Sequence, residues 1–144
     1  MTETYVEDIL IQKFLSLGSP WIKTEIKDDV EVVKNVAIPN ENFTRPADGN
    51  WFELDFLTTP PTTQELGVNA RTRWRGIMQI AICVPKNTGR DALNARYNKI
   101  HDLYMKPNQF NGIRVNRVFK TSALDAGDYY VVIASVEWQS DLNK

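Results

Sequence analysis

Apolar residues recur at Val6, Leu10, Phe14 and Leu17, with Ile9 widening the stripe, and this spacing predicts an amphipathic helix over residues 3–17. Thr4-Tyr5-Val6-Glu7 has the spacing of a capping box at its start, and Gly18-Ser19-Pro20 supplies a stop. The period then changes from 3.6 to two. Phe52, Leu54 and Phe56 alternate with Glu53 and Asp55, which predicts a half-buried strand between Trp51 and Thr58. The strongest strand signal covers residues 71–84. Thr72, Trp74, Gly76, Met78, Ile80, Ile82 and Val84 form its core face, and Arg71, Arg73, Arg75, Ile77, Gln79, Ala81 and Cys83 form a mixed one. Pro85 ends it.

Leu93, Tyr97, Ile100 and Tyr104 return to helical spacing and predict a second helix ending at Lys106-Pro107. After the Asn111-Gly112 turn, Ile113, Val115, Arg117 and Phe119 alternate with Arg114, Asn116, Val118 and Lys120. Tyr129 to Trp138 reads as the last strand, with Tyr130, Val132, Ala134, Val136 and Trp138 on one side. Residues 21–49 are weakly patterned; Glu31 to Val36 fits a short strand or an irregular edge. Residues 59–70, with Pro60-Pro61 and Gly67, read as a long loop, either solvated or used as a partner-binding arm. The expected fold class is α+β: a mixed or antiparallel sheet of about four main strands with two helices packed on one face, in the order helix, hairpin, helix, hairpin. One domain spanning residues 1–144 is expected.

Composition narrows the function. A net charge of −1 gives no basic excess for neutralising nucleic-acid phosphates, and it leaves little global repulsion against self-association. The one cysteine, Cys83, sits in an apolar run and reads as an inert core or sheet thiol. No charged-then-apolar leader opens the sequence, and no apolar stretch is long enough to span a bilayer, so a reducing, cytoplasmic setting is expected with no membrane partner.

Catalytic chemistry is hard to place. A single histidine, His101, and a single cysteine leave no zinc or Cys–His constellation, and no phosphate-binding or nucleophile-elbow motif occurs. Asp28-Asp29 reads as solvated loop. Glu53 and Asp55 share a strand face but lack the further ligands that a Mg²⁺ or Ca²⁺ site needs. No catalytic, metal or cofactor site is therefore expected, and the chain does not read as an enzyme. Arg71, Arg73 and Arg75 do stand out, because period-two spacing puts three guanidinium groups on one strand face. They either meet carboxylates of a neighbouring subunit or pair across the sheet with Glu53 and Asp55, which would neutralise them internally. Arg71, Arg73, Arg75, Glu53 and Asp55 are accordingly the candidate subunit-interface residues.

The order of Arg75-Gly76, Val84-Pro85, Gly89, the helix over 91–104 and the aromatic Tyr129–Trp138 strand resembles the tail-terminator-like proteins of long-tailed bacteriophages. The resemblance extends over most of the sequence, but residues 21–49 and the middle loop carry no mark of it. It implies a structural protein that assembles as a homo-oligomeric ring, commonly a hexamer, on the head-proximal end of the tail tube. Such a ring stops tube polymerisation and offers a surface to head-completion proteins. The implied partners are further copies of the chain, the tail tube protein and a head-completion or connector protein, with DNA passing through unbound and no cofactor. The implied location is the virion tail, with assembly in the host cytoplasm. Alternatives are another phage neck or head–tail joining protein, a small nucleic-acid-binding module using Arg71, Arg73, Arg75 and Trp74, or an uncharacterised small enzyme.

Overall fold

Alternation of period two accounts for most of the local structure, as a computed structural model describing residues 3–63, 71–121 and 123–143 makes visible. In chain order the elements are α1 (Glu3–Leu15), β1 (Thr24–Lys27), β2 (Val30–Val33), β3 (Val36–Ala37), β4 (Trp51–Thr63), β5 (Arg71–Pro85), α2 (Arg90–Met105), β6 (Gln109–Phe110), β7 (Ile113–Lys120), β8 (Leu124–Asp125) and β9 (Tyr129–Asn143). Seven strands form the main sheet in the order β3-β4-β5-β9-β7-β6, with β8 added to β9. All pairings in it are antiparallel except β3 with β4. β1 and β2 pair only with each other and make a separate two-stranded sheet.

The core lies on one face of β5 and its neighbours. Met78, Ile80, Ile82 and Val84 join Phe52, Leu54, Val132, Ala134, Val136 and Trp138 in one cluster with Val6, Leu10 and Phe14 of α1 and Leu93, Ile100 and Tyr104 of α2. Each such large aliphatic side chain contributes about 1.5–3 kcal/mol by leaving water. Direct bonds fix how the layers meet. The Tyr104 hydroxyl donates to the Leu10 carbonyl at 2.8 Å, tying α2 to α1, and the rings of Phe14 and Phe52 meet edge to face at 5.1 Å, tying α1 to β4.

Several expectations need correction. The protein is mostly β, with a seven-stranded sheet and two described helices, rather than an α+β fold with about four main strands. β3, β6 and β8 are two residues long, too short for alternation to register. α1 stops at Leu15 rather than Leu17, in a turn where Gly18 takes φ +65°, and Thr4 lies inside the helix rather than ahead of it. β4 does not end at Thr58 but runs to Thr63. Pro60 and Pro61 fall in a register shift between Thr59 and Thr62, where no ladder bond is required of them. The remainder of the expected loop, residues 64–70, lies outside the described residues. In β7 a second irregularity between Val115 and Arg117 switches the buried set from Ile113 and Val115 to Val118, so Arg117 and Phe119 turn to the opposite face.

Candidate interaction surface

The face of the sheet opposite the core carries Glu53, Asp55 and Leu57 on β4, Arg75, Ile77, Gln79, Ala81 and Cys83 on β5, and Val131, Ile133, Ser135 and Glu137 on β9. At one end this face is closed by aromatics. The rings of Trp51 and Tyr129 meet at 4.8 Å, and the Arg45 guanidinium stands 4.9 Å from each of them. Cys83 lies buried beneath, opposite Trp51 in register. Burial, reinforced by the Glu53 carboxylate, pushes its thiol up to about 12. The middle of the face is mixed: Ile77, Ala81, Val131 and Ile133 are half-buried, and Arg117 crosses it to Glu137 at 2.7 Å.

The five candidate residues all belong to β4 or β5 but are not gathered into one cluster. Glu53 stands opposite Ala81 and Asp55 opposite Gln79, whereas Arg75 stands opposite Thr59. Four residues of strand therefore separate Arg75 from Asp55, roughly 13 Å at a normal strand rise. Glu53 instead accepts from the Trp51 indole N–H at 3.0 Å, and the Asp55 carboxylate accepts from the backbone N–H of Phe56 at 2.9 Å. Arg75 is exposed and has no carboxylate at ion-pair distance among the described residues. Arg73 is half-buried, opposite Thr62 and Asp141, and Arg71 is opposite Asn143, with its side chain outside the described residues. The register thus keeps Arg75 away from the two carboxylates that could have neutralised it internally.

Two further features lie beyond the five candidate residues. One is the outer edge of β4. The Phe52 N–H donates to the Asn35 carbonyl at 2.9 Å, so even-numbered residues of β4 direct their backbone groups away from β5. β3 covers only Phe52 and Glu53, and from Asp55 to Thr59 this side has no strand partner among the described residues. The second is the β1–β2 hairpin. Asp28 and Asp29 both take positive φ, 52° and 63°, which is the two-residue turn whose twist suits a tight hairpin. Its apolar side chains Ile26 and Val30 are 73% and 59% exposed. The hairpin is held at its foot by buried Asn35, whose side chain donates to the Trp21 carbonyl at 2.9 Å and accepts from the Lys23 N–H at 3.0 Å. Lys23 itself reaches Asp48 at 2.8 Å.

Among the described residues no group of three or more His, Cys, Asp or Glu side chains could hold a metal ion, and no helix is long and apolar enough to cross a membrane. The sequence model of a family described as phage tail terminator protein matches residues 27–138. A solved structure of another chain, 16% identical, superposes with a TM-score of 0.69 over 99% of this chain and 97% of the other, a likeness of fold. No curated protein matches the sequence.

Proposed function

The chain belongs to the phage tail terminator family, a structural component of the virion tail, and from that premise we propose that it closes the head-proximal end of the tail tube as a homo-oligomeric ring. The carrying observation is the family match over residues 27–138, joined to a sheet whose helices cover one face only. A closed ring is built from heterologous contacts, so each subunit must offer two different complementary patches. The open face with Arg75, Glu53 and Asp55, and the uncovered edge of β4, supply surfaces of that kind. In this reading the whole chain acts as one unit, commonly six to a ring, assembled in the host cytoplasm. One side of the ring meets the tail tube protein and ends its polymerisation; the other receives the head-completion protein. DNA passes through without being gripped, which suits a chain of net charge −1 better than a basic one.

The test is direct. Purified protein mixed with tail tubes lacking their terminator should cap one end of each tube, seen as rings by electron microscopy, and should stop further growth. Tubes that lengthen normally in its presence, with no density added at either end, would remove the capping role.

A further inference from the structure

The unfinished edge of β4 and the free-standing hairpin fit one another. β4 leaves the backbone groups of Phe56 and Thr58 directed outward, and the exposed stretch Asp55–Thr59 is bounded by β3 on one side and by Pro60-Pro61 on the other. In the hairpin, Lys34 N–H donates to the Lys23 carbonyl at 2.9 Å, so residues 30, 32 and 34 face β1 while Glu31 and Val33 direct their backbone groups outward. Each side therefore offers two residues, two apart, with matching donors and acceptors.

We propose that β2 of one copy adds antiparallel to the β4 edge of the next, with Glu31 opposite Thr58 and Val33 opposite Phe56, an assignment that rests on the ring reading above. Charge chooses this direction. It sets Lys34 opposite Asp55, and it carries the acidic turn Asp28-Asp29 past Thr59 towards the end where Arg75 lies exposed. A parallel arrangement would bring Lys34 to the arginine end and the acidic turn to Asp55 and Glu53, like against like. The same antiparallel register sets Val32 opposite Leu57, which is 51% exposed in the single chain. β1 fits less well, because its outward residues Thr24 and Ile26 would set Glu25 against Leu57.

The Asp55 carboxylate has two roles in this scheme. In the single chain it accepts the outward Phe56 N–H at 2.9 Å and so blunts the edge. When the hairpin arrives, the Val33 carbonyl takes that N–H, and Asp55 is released to face Lys34. The hairpin is held at Phe52 through Asn35 and the edge begins at Asp55, so the two patches are distinct, as a head-to-tail contact requires.

The experiment uses the full chain and reads ring formation by sedimentation velocity, alone and on tail tubes. Thr58→Pro removes an outward N–H that no strand in the single chain uses, and should leave the thermal midpoint within about 5 °C of the parent while abolishing rings. Lys34→Glu and Asp55→Lys should each weaken subunit association at least about tenfold, and the double variant should recover to within about threefold of the parent. Rings of parental strength from Thr58→Pro, or a double variant no better than the weaker single one, would overturn the strand addition while leaving the ring reading in place. Retained rings with lost tube binding would assign the edge to the tube and equally overturn it. A parent chain that never closes into rings, alone or on tubes, would remove the ring reading itself.

Discussion

A methyl group placed on Gly76 would stand 2.7 Å from Cζ2 of Trp138 and 2.7 Å from the Leu57 carbonyl oxygen. Both distances are well inside van der Waals contact, and one of the obstacles is backbone. Gly76 is thus required by the close approach of an indole ring that is fully buried across the β5–β9 ladder, where the two residues are register partners. Gly76→Ala should cost about 1–3 kcal/mol through overpacking, read as a lowered urea midpoint. A midpoint equal to the parent's would mean that Trp138 moves aside freely.

Asn35 should act as a local fastening. Asn35→Ala withdraws the side-chain bonds to Trp21 and Lys23 and leaves those backbone groups half-buried without their partner. The expected loss is about 1–3 kcal/mol, with amide exchange accelerated over residues 21–37 more than in β5 or β9. Uniform acceleration through the sheet would contradict a local role.

The Lys23–Asp48 pair predicts a weak acid dependence. The Lys23 ammonium, aided by the Asn50 backbone N–H, holds the Asp48 carboxyl below its ordinary value. A carboxylate depressed in the folded state stabilises above its unfolded value and loses that contribution as pH falls through the folded one. With both side chains more than a third exposed, the contribution is below about 1 kcal/mol. The difference in urea midpoint between the parent and Asp48→Asn should therefore be small at pH 6 and shrink steadily as the solution is acidified below the ordinary carboxylate range. A difference that grows on acidification would reverse the sign argued here.

Cys83 should be chemically silent while the protein is folded. Its thiol is buried and pushed up to about 12, so almost no thiolate exists at pH 8. Iodoacetamide should label it only after denaturant is added. Rapid labelling under native conditions would show that the Trp51–Tyr129 end of the sheet opens.

What the sequence made legible was whatever repeated for long enough. The core faces of β5 and β9, and the Leu93, Ile100 and Tyr104 stripe of α2, follow directly from their spacing. Arg75-Gly76 carries part of the family resemblance, and the physical reason for its glycine is the Trp138 ring. Glu31 to Val36 fits a short strand, but its pairing with β1 is not legible because Asp28-Asp29 lacks the glycine that usually marks such turns. Strands of two residues show no alternation. The offset of Arg75 from Asp55 depends on the β4–β5 register, which no single-strand pattern encodes. Asn35, a lone amide among valines, gave no hint that two turns of chain converge on it.

β5 is bonded along its full length to β9, and the paired residues are 44 to 72 positions apart in the chain, with α2, β6, β7 and β8 between them. Until residues 129–143 have been synthesised, β5 has a neighbour on one flank only and the cluster around Met78 and Ile80 lacks Val136 and Trp138. The sheet therefore closes late, through its most distant pairing, and folding should be slow for a chain of this size.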